Sequence, residues 1–535
     1  MSLPEPFPGI DVAEDHDPGI RLFGKRFITE QTSLEYISEF LSVVFSAKRI
    51  GLGAKFSTAL PPMDHLKAWA ASSEHLSYKP SIRLNLKLFS FLPCSRLESR
   101  HPVHRKHYDA LVDRLKNQIE SGGAEPAEVV EWIGELFRSL QGAGFNRTWC
   151  AQTFWPLTPG LVTQETIWNE TVVRKDPVDD WMESIDGLHK YYSVSKHRFL
   201  ARGGEVLYLQ ICNALTVDKK LVGELAASMG TGTLSSDEAD PGALHQCLEQ
   251  GLSRLDAPRD SSFEQLVDYV DSLDGLTVDA LADRTNPLEC QWCPREGWRE
   301  GYLYAVEMSR LLDAHLDSME RINLLMTGAA LHVLRSLCTQ SARYARNSFP
   351  RPATNGLGYA WVVTPQGPYQ EHLMLSRHSL QAIQKMVFRA LRDEGLQENA
   401  RRDEPQKSAQ SLYREADRRY GHKLFMSLAK RIVLVAPSRG PGPRFVMTDM
   451  TLRYMVLTLL RSGERCTYAV FLERLYRHYG IAVEGSQLED ATAWAGLPAN
   501  THFQSQRTSW LSRMLRAGGF LVELSDACAI VRNNF

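Results

Sequence analysis

The chain has little of what would assign it to a familiar class. No window approaches the ~18 consecutive apolar residues of a membrane-spanning helix, and no basic segment with an apolar run marks a secretory leader. Cysteine is sparse: nine in 535 residues, an odd and scattered set. That usage fits a reducing cytosol rather than a disulfide-stapled scaffold. GxxxxGK[ST], HExxH, GxSxG and the kinase motif set are all absent, which argues against the common ATPases, metalloproteases, hydrolases and kinases. Gly440-Pro-Gly-Pro443 does not replace a phosphate loop, because its prolines have no N–H to donate. No internal repeat or low-complexity tract occurs.

What is present is ordinary in bulk and uneven in distribution. Apolar residues make up 43 % and charged residues 23 %, as in globular proteins. The length exceeds one hydrophobic core and suggests roughly three domains. Net charge is only −2. Residues 401–535, however, hold 20 Lys and Arg against 12 Asp and Glu, so the remainder is acidic. A polyanion is drawn first to the basic end.

Periodicity predicts a mainly α protein with a few short strands. Residues 1–20, with Pro, Gly and Asp and no apolar period, read as a flexible arm. An N-terminal helical domain with one or two strands follows over 21–200, and a helical middle domain over 201–396. The polar run 397–410 reads as a linker, and 411–535 as a basic C-terminal domain. Helical spacing marks 32–47, 103–120, 125–140 (Val129, Trp132, Ile133 and Phe137 inward), 205–215, 219–228, 242–255, 263–273, 299–346, 380–392 and 411–429. Alternation of Ile82, Leu84, Leu86 and Leu88 with Arg83, Asn85 and Lys87 predicts a strand over 80–91, with a short apolar helix as the alternative. Further short strands are expected at 359–363 and 432–435.

Residues 445–535 predict a winged helix. Leu452, Met455, Val456, Leu459 and Leu460 form one helical face, with Asp449 as N-cap. Thr467 caps a second helix carrying Phe471, Leu472, Leu475, Tyr476 and Tyr479 inward, and Gly480 ends it. After an insertion at 482–500, a third helix spans 505–516. Gly518-Gly519 stops it, and strands at 520–524 and 528–532 make the wing. Gln506, Ser509, Arg513 and Arg516 share one stripe of the third helix, with Arg507 beside it and Arg532 on the wing. Amide, hydroxyl and guanidinium groups are what a helix in the major groove needs for base edges and phosphates. They are equally the ordinary polar side of a surface helix. A winged helix facing only protein is the competing expectation.

Three other clusters bear on chemistry. Cys290-Gln-Trp-Cys293 has the spacing at which two thiolates grip zinc, and His245 and Cys247 are the available further ligands for a structural site. Two free thiols are the plainer alternative. Arg100-His-Pro-Val-His-Arg-Lys-His107 places Arg100, His104, Arg105 and Lys106 at a helix start, where an anion is favoured. A solvated polar turn is the alternative there. Glu165, Glu170, Asp176, Asp179 and Asp180 crowd one stretch, as a metal-dependent nuclease requires, but no Lys follows Glu170 at the spacing usual in restriction-type nucleases. Surface acidity explains them as well.

Three segments resemble parts of accessory subunits encoded in bacterial antiviral (phage) defence operons. These are Leu452-Arg-Tyr-Met-Val-Leu-Thr-Leu-Leu460, Phe471-Leu-Glu-Arg-Leu-Tyr-Arg-His-Tyr-Gly-Ile481 and Phe27-Ile-Thr-Glu-Gln-Thr-Ser-Leu-Glu-Tyr36. The resemblance covers a small part of the chain and brings no catalytic residue. It implies a non-catalytic subunit working with separate methylase, nuclease or ATPase partners. The expectation is therefore a cytoplasmic scaffold that binds duplex DNA and the proteins of a defence complex, without a membrane or a catalytic cofactor.

Overall fold

The computed structural model describes residues 3–10, 17–25, 27–92, 102–120, 122–139, 156, 159–163, 167–193, 202–230, 232–255, 262–276, 280–281, 286–345, 351–367, 372–497, 509–525 and 528–535. The protein is mainly α, with short strands in small sheets. Four helices make its spine: α1 (Ser33–Phe45), α2 (Gly203–Leu215), α3 (Trp298–Asp313) and α4 (Ser318–Tyr344). Helix α1 begins with a capping box, in which Thr32 and Glu35 satisfy each other's backbone N–H. Helix α2 packs between α1 and α3, and every one of its residues is buried. Gly204 permits that approach, since a Cβ there would meet the Tyr36 carbonyl oxygen and the Phe40 nitrogen of α1. Helix α4 is long and apolar enough to cross a membrane by length and composition, contrary to the sequence reading, but 89 % of its apolar window is buried within the protein.

One apolar cluster runs from Phe7 to Val531. Among the described residues, smaller ones lie around Ile82, Leu84 and Trp181, around Phe89, Leu111 and Phe137, and at Ile10 with Trp292. A four-stranded antiparallel sheet joins β1 (Ala47–Ile50), β2 (Lys55–Phe56), β3 (Leu76–Lys79) and β4 (Leu288–Glu289) in the order β2-β1-β3-β4.

Several expectations change. Within the segment read as an arm, Pro6–Phe7 pairs with Cys293–Pro294 and Phe7 is fully buried, while Asp17 caps the helix Pro18–Phe23. The first part of the segment read as a linker, 397–403, belongs to the helix Glu394–Asp403, with Ala400 in the interior. The segment read as a strand is the helix Leu84–Phe91. The helix expected over 411–429 is two, Ala409–Arg419 and His422–Arg431, separated at Gly421. On the helix Pro126–Ser139, Phe137 points inward but Trp132 is 58 % exposed.

Candidate nucleic-acid interface

The C-terminal segment is built from local signals. Helix α5 (Asp449–Leu459) is capped one residue earlier than expected: the Thr448 hydroxyl, not Asp449, accepts from the Thr451 N–H at 3.1 Å. Strand β5 (Arg465–Thr467) leads into helix α6 (Tyr468–Tyr479), which Thr467 caps. Gly480 ends α6 in the left-handed region, with φ of 72°. The insertion contains a helix of its own, α7 (Gly485–Trp494), held by buried Leu488 and Trp494. Helix α8 (Trp510–Ala517) and strands β6 (Leu521–Ser525) and β7 (Cys528–Arg532) complete the segment. The three strands form an antiparallel sheet ordered β5-β7-β6, so the strand between the first two helices pairs with the last strand of the chain.

The described cations of this segment divide into those engaged within the chain and those without an ion pair. Arg461, Arg474 and Arg477 turn toward the helical body or nearby carboxylates. Arg474 meets Glu464 at 2.7 Å, Arg461 lies 3.8 Å from Glu238, and Arg477 donates to the Ser228 carbonyl at 2.7 Å. Arg465, Arg513 and Arg532 are exposed and form no ion pair among the described residues. Arg465 and Arg532 are direct cross-strand partners, beside Cys466 facing Val531. Like charges directly opposite each other in a sheet are unfavourable. The arrangement suits a surface that receives an anion.

The expected stripe on the third helix is only partly present. Arg513 and Arg516 are exposed, but Arg516 pairs with Glu523 on β6. Ser509 is not an outward contact. It is 8 % exposed, caps α8 through the Ser512 N–H at 3.1 Å, and shares a hydrogen bond with the Tyr468 hydroxyl at 2.8 Å. Gln506 and Arg507 lie outside the described residues. Arg465 is the residue the sequence reading missed; its signal is an arginine in the short strand between the first two helices.

Compared with protein-family models, curated proteins and solved structures, the chain matches none.

Among the described residues, the other predicted clusters are not assembled. Cys290 and Cys293 are fully buried, and burial pushes both thiols up. His245 instead contacts the Pro61 carbonyl at 2.8 Å, and Cys247 is exposed. Among the described residues, no group of three or more His, Cys, Asp and Glu is placed to hold a metal. His104 is buried between aromatic rings, 4.8 Å from Trp168, with its Nε2 3.1 Å from the Tyr192 hydroxyl. Arg105 pairs with Asp109 one turn on, Lys106 is exposed, and Arg100 lies outside the described residues. The three described residues, His104, Arg105 and Lys106, therefore do not converge as a phosphate site. The acidic stretch is dispersed as well. Glu170 pairs with Arg174, Asp176 with Lys190, and Asp180 caps the helix Trp181–Asp186; Asp179 is exposed and Glu165 is outside the described residues.

Proposed function

We propose that residues 445–535 form a winged helix that holds duplex nucleic acid, and that the chain is a non-catalytic, cytoplasmic scaffold subunit of a bacterial complex, in phage defence. The reading draws support from the element order, in which the first strand falls between helices one and two and pairs with the last. Residues 401–535 as a whole carry a basic surplus, most of it in 401–444 beside the winged helix, since 445–535 holds nine Arg against eight Asp and Glu. The observation that carries it is the exposed pair Arg465 and Arg532, directly opposite each other and without carboxylate partners among the described residues. Phosphate oxygens would relieve that repulsion, as in backbone-directed binding that positions a protein without reading sequence. The resemblance to defence-operon subunits supplies the cellular context, and the helical body is the surface for protein partners.

A winged helix that touches only protein is the second reading. It is favoured by Ser509 and Arg516, whose polar groups are engaged within the chain. Fluorescence anisotropy of a labelled duplex with the full-length protein separates the two. Arg465→Ala and Arg532→Ala should each weaken binding several-fold with unchanged circular dichroism. Unchanged affinity in both would favour the protein-facing reading.

A further inference from the structure

A cavity of about 510 Å³ opens where the start of α3 and the end of α4 meet the loop 352–358. That volume lies within the range of small-molecule sites. Its polar wall contains two cations in different states. Arg343 is neutralised: its guanidinium grips both carboxylate oxygens of buried Glu300, at 2.7 and 2.6 Å. Arg299 forms no ion pair among the described residues. Its Nη2 donates to the Ser228 hydroxyl at 3.1 Å, and its Nε is buried without a partner. The guanidinium lies so close to the loop that a Cβ at Gly356 would stand 2.8 Å from it.

The rest of the lining has a different character. Trp298, Trp494, Met386 and Leu357 supply flat and apolar surface, three of them buried. Glu296 accepts from Gln340 at 2.5 Å and from Tyr344 at 3.0 Å through one oxygen. No described residue occupies its other oxygen, which remains an acceptor for N–H or O–H groups. One guanidinium with no direct ion pair among the described residues, an apolar aromatic wall and one carboxylate oxygen with no described partner together describe a complementary ligand. A planar guanidinium matches the oxygens of phosphate or carboxylate, and indole rings favour planar partners.

We propose that this cavity binds a small molecule with a planar ring and one oxyanion, with the oxyanion on Arg299 and the ring against the tryptophan-lined wall. Nucleoside monophosphates and aromatic carboxylates share that chemistry. The site is separate from the C-terminal arginines, so its test does not depend on nucleic-acid binding.

Equilibrium dialysis of the full-length protein tests it. The ring-bearing probes are the four common nucleoside 5′-monophosphates and, in a second arm, indole-3-acetate; adenosine and inorganic phosphate are the controls. At least one ring-bearing probe should bind saturably below about 1 mM. Arg299→Gln should weaken it about 10- to 100-fold, the range for losing a charge-assisted hydrogen bond, and Arg299→Lys by less. Gly356→Ala, at an exposed position, should weaken it by displacing the guanidinium, and serves if Arg299→Gln does not fold. Monophosphate binding alone identifies a nucleotide-like ligand, and indole-3-acetate binding alone an aromatic acid. Absence of saturable binding by every ring-bearing probe, equal binding of inorganic phosphate, or undiminished binding in folded Arg299→Gln would overturn the proposal.

Discussion

Glu307 and Arg335 form a fully buried ion pair, 2.5 Å between carboxylate and guanidinium, that ties α3 to α4. The same carboxylate reaches the C-terminal segment, accepting from Tyr454 of α5 and His478 of α6, each at 2.6 Å. Burial alone would raise the Glu307 carboxyl; Arg335 and His478 outweigh it and hold it at about 2. Burial lowers His478, so its neutral ring donates from Nε2. The C-terminal segment is thus joined to the helical body through shared buried charge as well as apolar contact.

Glu307→Gln should therefore destabilise the protein by at least about 3 kcal/mol, because Arg335 stays buried without its counter-ion. Replacing both partners with apolar residues, as in Glu307→Leu with Arg335→Met, should cost less than the single change. Urea unfolding of the three proteins checks the order. A single variant as stable as wild type would contradict it.

Gly480 ends α6 with φ of 72°, and a Cβ there would come within 2.9 Å of the Tyr359 ring. Gly480→Ala should cost about 1–2 kcal/mol through backbone strain and displacement of that ring. Thermal unfolding measures it.

Ser509→Ala should cost about 1 kcal/mol as a lost N-cap and leave duplex affinity unchanged. Unchanged stability with weakened binding would return Ser509 to the contact surface. Paired thermal and anisotropy measurements decide this.

His422 stacks beside Phe425, and burial lowers it from 6.5 to about 4. The unfolded chain therefore binds the extra proton first. The contribution is complete above about pH 6.5 and is lost as pH falls toward 4. Between pH 7 and pH 5 the wild type should lose about 1–2 kcal/mol more stability than His422→Gln. Comparing the two proteins cancels the opposing effects of Asp17, Glu39 and Asp271, which burial raises to about 7, 8 and 6.

The long helices were legible because one apolar face against one polar face produces a clear 3.6-residue period. The helix Leu84–Phe91 was not, because polar residues around it are buried too: Asn85 donates to the Asp271 carbonyl, and preceding Arg83 meets Asp268. Partners nearly two hundred residues away leave no local trace, and over eight residues alternation does not separate strand from helix. Phe7 was obscured in the same way, because Cys293–Pro294 completes its strand. At the candidate interface, exposure of Arg513, Arg516 and Arg532 followed from helix and strand register. Ser509 reads from the sequence as part of a helix over 505–516 and so of its outward stripe, whereas the helix Trp510–Ala517 has Ser509 as its N-cap. The facing of Arg465 with Arg532 depends on the register between strands more than sixty residues apart.

Salt dependence of duplex binding distinguishes a phosphate-directed arginine surface from an ordinary polar one. Each phosphate neutralised contributes about −0.9 to the slope of log affinity against log salt concentration. The full-length protein should show a steep negative slope, and Arg465→Ala, Arg513→Ala and Arg532→Ala combined should make it shallower by about 2–3. A folded triple variant with the wild-type slope, or a wild-type protein that ignores duplex at low salt, would contradict the account.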